Sequence, residues 1–112
     1  MNSQLPSQSS DAEERAYTLN VPGDLISTTA EALRRQLAGV LEPSAAPRTW
    51  NLFTLDLSAA KMVDSVGLNL VVTILKNVRK AGARMKILYS SPNVQRTFLF
   101  TRLDRHLELV KV

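Results

Sequence analysis

The chain contains no cysteine, which excludes a disulfide framework, a thiolate metal site and a cysteine nucleophile. Histidine occurs once, at His106 beside Arg105, with no acid or nucleophile at a spacing that would make it catalytic. Aromatic residues make up only 5% of the chain, so the core must rest on leucine, valine, isoleucine and methionine. The four glycines lie far apart, which excludes a glycine-rich phosphate cradle. Asp56 and Asp64 are candidates for an acid and base, but nothing near them in sequence would push one carboxyl apart from the other. No apolar run approaches the length of a membrane span, and the first ten residues lack the basic start and apolar stretch of a secretion signal. The expectation is a cytoplasmic protein without membrane contact, metal or cofactor, and not an enzyme.

What is present suits one α/β domain. A chain of 112 residues supports a single core and is too short for two. Residues 1–14 are polar, rich in serine and glutamine and without periodicity, and read as a flexible tail before a domain over 15–112. Charge is uneven: residues 1–24 carry four acidic side chains against one arginine, whereas residues 61–112 carry ten Lys or Arg against three acidic residues. The basic residues are scattered singly and lack interleaved aromatics, so they read as a solvated face rather than a nucleic-acid surface.

Ala16–Val21 alternates apolar and polar residues as a strand does and is closed by the turn signal Pro22-Gly23-Asp24. Thr28-Thr29-Ala30-Glu31 has capping-box spacing, and behind it Ala30, Leu33, Leu37, Val40 and Leu41 share a helical face ended by Pro43–Pro47. From Trp50 to Leu57 apolar side chains fall on both faces, the mark of a central strand. A helix from Asp64 or Ser65 to Ala81, ended by Gly82, places Gly67, Leu70, Val71, Ile74 and Val78 on one side and Asn69, Thr73, Lys76 and Lys80 opposite. Leu68 and Val72 lie on the flank between. Met85–Tyr89 reads as a third strand, Ser91-Pro92 as a cap and first position of a short helix, and Leu107–Val110 as a fourth strand. The order is β-α-β-α-β-α-β.

The stretch Lys61-Met62-Val63-Asp64-Ser65-Val66-Gly67-Leu68, between the central strand and the longest helix, concentrates the candidate chemistry. A serine at such a helix start either caps the helix or is held out for a partner to modify. A phosphate on Ser65 would meet free backbone amides and the positive helix end, so the fold could tolerate it. It would also place about −1.5 to −2 charges beside Asp64 on an exposed surface.

Leu55-Asp56-Leu57-Ser58 followed by Met62-Val63-Asp64-Ser65-Val66-Gly67-Leu68 resembles the signature of the STAS domain family, in particular stand-alone bacterial anti-sigma factor antagonists. Gly82, Met85–Tyr89 and Ser91-Pro92-Asn93-Val94-Gln95-Arg96 continue the likeness, and Pro22-Gly23-Asp24-Leu25 is similar to the family's Gly-Glu loop. The resemblance implies the STAS fold: a mixed, mostly parallel four-stranded sheet packed with three to four helices. It further implies a partner-switching regulator of transcription, a monomer when free, whose serine is phosphorylated from ATP by a serine-protein kinase that is also the anti-sigma factor. A PP2C-type serine phosphatase resets it. On these positions Ser65 is the phospho-acceptor, with Asp24, Asp64, Leu68 and Val72 at the partner contact. The alternative is a non-phosphorylated STAS regulatory subunit of a transporter complex; a nucleotide sensor is a third option.

The chain departs from the family pattern at several points. Ile26 stands where an acidic residue is usual, Val66 replaces a small or hydroxyl residue, and Arg102 stands where glycine commonly precedes the last leucine. The strand that opens many members is expected to be shortened or absent, and the basic C-terminal half is unlike the usually acidic members.

Overall fold

The computed structural model describes residues 14–38 and 50–112. The expectations for the tail up to residue 13, for an opening strand, for Val40 and Leu41 on the first helix and for the Pro43–Pro47 loop lie outside the described residues. Among the described residues four strands and three helices alternate: β1 Ala16–Asn20, α1 Ser27–Leu37, β2 Leu52–Leu57, α2 Ser65–Lys80, β3 Arg84–Tyr89, α3 Pro92–Phe100 and β4 Glu108–Lys111. A 3-10 turn at Leu103–Arg105, not signalled by the sequence, separates α3 from β4.

The described strands lie in the order β1-β2-β3-β4 and every pairing among them is parallel, in keeping with the expected mostly parallel four-stranded sheet. The cause is connectivity: each of the first three described strands is followed by a helix before the next strand begins. The register sets Leu19 beside Leu55, Leu55 beside Ile87 and Ile87 beside Leu109, so alternate residues of all four strands share a face. On that face Phe53, Leu55, Leu57, Ile87 and Tyr89 join Leu33 and Leu37 of α1, Val71, Ile74 and Val78 of α2, and Val94 and Phe98 of α3 in one core. The opposite face carries the buried Leu52 and Thr54, as a strand apolar on both sides requires.

The helical periodicity of α2 is realised as expected. Gly67, Leu70, Val71, Ile74 and Val78 are buried, Asn69, Thr73, Lys76 and Lys80 are exposed, and Leu68 and Val72 are half-buried between them. The helix ends in a Schellman motif: Gly82 adopts φ 75° and its N–H donates to Arg79 O at 2.9 Å, while the Ala83 N–H donates to Val78 O at 3.0 Å. Ser91 caps α3 through its Oγ, which accepts from the Asn93 N–H at 3.2 Å, with Pro92 in the first turn.

The capping box does not form. Helix α1 begins at Ser27, two residues earlier than the Thr28 cap requires, and Ile26 in the cap position supplies no side-chain acceptor. The missing acceptor comes from 37 residues away, where Asp64 Oδ2 accepts the Ser27 N–H at 3.1 Å.

Candidate functional site

In a parallel sheet with helical crossovers, loops gather at the carboxyl ends of the strands, and here the loops after β1 and β2 are joined into one ledge. The Leu25 N–H donates to Met62 O at 3.0 Å and the Asp64 N–H donates back to Leu25 O at 3.1 Å, forming an isolated parallel bridge between Leu25 and Val63. Both apolar side chains are buried, which fixes the ledge to the core. Asp24 Oδ1 accepts the Lys61 N–H at 2.7 Å, a second tie between the loops. The loop after β3 adds a third, since Ser90 Oγ donates to Ser58 O at 2.6 Å.

Asp64 is the cap of two helices. Its Oδ1 accepts the Gly67 N–H at 2.8 Å at the start of α2, and its Oδ2 holds the start of α1 through Ser27. A carboxylate placed between two positive helix ends satisfies both backbone donors and both dipoles. This divides the local roles: the helix cap is Asp64, and Ser65 is the first helical residue. Ser65 is exposed, and its hydroxyl has no hydrogen-bond partner among the described residues.

Gly67 explains how the ledge and helix approach so closely. A Cβ there would run into the Leu25 carbonyl and lie 2.9 Å from Leu25 Cγ. Only a residue without a side chain lets the first turn of α2 sit against the backbone of the Leu25 loop.

The sequence-derived partner residues come together in part. Asp24, Asp64 and Ser65 belong to the joined loops and the helix start; Leu68 is one turn further along α2 and half-buried against the core, and Val72 is one turn beyond that. Two residues of this surface escape the sequence reading. Met62, three residues before Ser65, and Val66, next after it, are 49% and 39% exposed. The available signal was the departure at Val66 itself, an apolar side chain at a surface turn. Among the described residues no group of three His, Cys, Asp or Glu side chains could hold a metal ion, and no helix is long and apolar enough to cross a membrane.

The family model for the STAS domain matches residues 9–111, which include the joined loops and the start of α2. The chain belongs to the STAS domain family. Among solved structures, this STAS chain is similar in fold to an anti-sigma factor antagonist from Mycobacterium paratuberculosis, with 24% identity, 85% of this chain and 76% of that one covered, and a TM-score of 0.70. It is similar also to the anti-sigma factor antagonist SpoIIAA in its unphosphorylated form, at 18% identity, 89% and 82% coverage and a TM-score of 0.70. A sulfate transporter family protein from Wolinella succinogenes shares the fold at 14% identity, 85% and 75% coverage and a TM-score of 0.69. No curated protein matches the chain in sequence.

Proposed function

We propose that this STAS domain is a phosphorylation-gated anti-sigma factor antagonist, a binding protein rather than an enzyme. Its unphosphorylated form binds a serine-protein kinase that is also the anti-sigma factor, and phosphorylation of Ser65 releases it. The observation that carries this reading is the division of labour at the start of α2. Asp64 takes the capping bonds, so the Ser65 hydroxyl is exposed and uncommitted, and its modification removes no bond that the fold uses. The two solved antagonists with this fold support the partner class.

The mechanism is electrostatic. A phosphate brings about −1.5 to −2 charges to a position next to the Asp64 carboxylate. In the free protein water and the helix amides stabilise that charge. In a complex that covers Met62, Ser65, Val66 and Leu68, the same charge would be buried without a matching cation. A penalty of about 3–4 kcal/mol corresponds to two to three decades in affinity. The test is intact mass after incubation with ATP and the cognate kinase: wild type gains one phosphate, and Ser65→Ala gains none.

A second reading is supported by the likeness to the transporter family protein: a constitutive STAS subunit of a transporter complex. The two part at Ser65→Asp, which weakens a kinase complex by at least tenfold under the first reading and leaves a transporter complex intact under the second.

A further inference from the structure

The ledge beside Ser65 spends its carboxylates internally and turns apolar side chains outward. Asp24 Oδ1 accepts the Lys61 N–H, and the two oxygens of Asp64 accept the Gly67 and Ser27 N–H groups. Both carboxylates thus hold loops and helix starts together. The apolar residues divide by alternation. Leu25 and Val63 face each other across the isolated bridge and are buried, so their chain neighbours Ile26, in extended backbone, and Met62 project from the other side of the ledge. Exposure agrees: Ile26 is half-buried and Met62 is exposed. Val66, in the first turn of α2, is exposed as well.

Local physics favours none of the three. Isoleucine is among the poorest caps, and Ile26 occupies the cap position of α1 without supplying an acceptor. A helix start favours Asp or Glu, yet the first turn of α2 has no acidic residue and carries Val66. A β-branched residue is also a weaker helix former than a straight-chain one. Met62 lies outside the strands and helices and leaves much of its surface in water. Side chains that break a local rule without burial to offset it mark a site that acts on something outside the fold. Two of them, Ile26 and Val66, stand where acidic and small or hydroxyl residues are usual in the family.

We propose that the ledge selects its kinase by apolar contact: Met62 and Val66, with Ile26 at the rim, enter an apolar recess beside the kinase's phosphate-transfer site, and ionic contacts contribute little. Methionine suits such a recess because its unbranched, polarisable side chain adapts to the wall it meets. Val66 and Ile26, stiff at χ1, lose little freedom on docking. This mode of recognition rests on the reading of Ser65 as the kinase's acceptor, and it adds the chemistry by which the partner is chosen. A kinase built to meet an acidic residue at position 26 and a hydroxyl at position 66 leaves its own polar groups unpaired against this surface. The same contacts therefore exclude the kinases of related antagonists.

Titration calorimetry with the full chain in ADP, which permits docking without transfer, tests it. The probe is the tightest binder among the purified serine-protein kinases with anti-sigma factor activity from the organism that encodes this chain. Met62→Ser lowers the affinity about tenfold and Val66→Ser about fivefold, while Met62→Leu stays within about threefold of wild type. Ile26→Glu, which restores the usual acid, weakens binding. Raising sodium chloride from about 0.1 to about 0.5 M changes the wild-type affinity less than threefold. With ATP, Met62→Ser and Val66→Ser are phosphorylated with KM raised and kcat unchanged, since Ser65 is untouched. Thermal unfolding checks the fold of each variant. The proposal is overturned, with the Ser65 reading intact, if Ser65→Asp abolishes docking while Met62→Ser and Val66→Ser bind within twofold of wild type. It is overturned equally if salt lowers the affinity tenfold or more. If no kinase docks and Ser65 gains no phosphate, the Ser65 reading itself fails and the apolar recess with it.

Discussion

Replacing Asp64 by alanine separates what this residue does for the fold from what it does for a partner. The substitution removes two bonds at once: the acceptor for Gly67 at 2.8 Å and the acceptor for Ser27 at 3.1 Å. Loss of a helix N-cap costs about 1 kcal/mol. The Ser27 bond, at an exposed helix start where water can replace it, falls at the low end of the net hydrogen-bond range, about 0.5–1 kcal/mol. Together the loss is about 1.5–2 kcal/mol. Asp64→Asn retains the carbonyl oxygen and can keep one bond, but it gives up the charge between two helix ends, so its cost is about 1 kcal/mol. Urea unfolding measures both. With a slope of about 1.5–2 kcal/mol per molar, the alanine midpoint falls by about 1 M and the asparagine midpoint by about half of that. An alanine variant within about 0.3 M of wild type, or an asparagine variant as unstable as alanine, refutes the double-cap reading. Partner affinity should then be compared on the asparagine variant, whose fold is less disturbed.

Three further substitutions probe the same framework. Gly67→Ala should destabilise by about 2–3 kcal/mol, because the new Cβ meets the Leu25 loop; an otherwise unconstrained helix glycine would gain about 1 kcal/mol, so the sign of the change in thermal or urea unfolding is the test. Arg102 sits at φ 62°, and Arg102→Gly should gain about 0.5 kcal/mol as left-handed strain is relieved against a more flexible unfolded chain. A loss of stability in that variant contradicts the strain assignment. Thr28→Ala should change the unfolding free energy by less than about 0.5 kcal/mol, since no side-chain cap bond is made at the start of α1. A loss of about 1 kcal/mol would restore the capping box.

The contrast between Thr28 and Asp64 marks the limit of what the sequence discloses. Periodicity located the described strands and helices, and the face assignment of α2 holds residue by residue, because burial of a helix stripe against a sheet is a short-range pattern. The Thr28–Glu31 spacing met the local rule for a cap, but a tertiary acceptor 37 residues away had already taken the Ser27 donor. No local motif registers such a partner. Gly67 was legible as a position on the core face, yet the reason for glycine there is the approach of the Leu25 backbone, a contact between segments far apart in sequence. Arg102 was legible only by comparison with a glycine usual in the family, and its positive φ supplies the physical cause. Met62 and Val66 are not marked as surface residues by the sequence, because their exposure follows from how the loop after β2 packs and not from local spacing.

In the proposed switch the exposed Ser65 hydroxyl, freed from capping by Asp64, is the acceptor that controls partner binding. That role is tested most directly by isolating the protein after treatment with the cognate kinase and ATP, then measuring its mass and its affinity for that kinase. The account predicts a single phosphate on wild type, none on Ser65→Ala, and an affinity lower by two to three decades for the phosphorylated form. Equal labelling of the alanine variant, or equal affinity of the two forms, contradicts it.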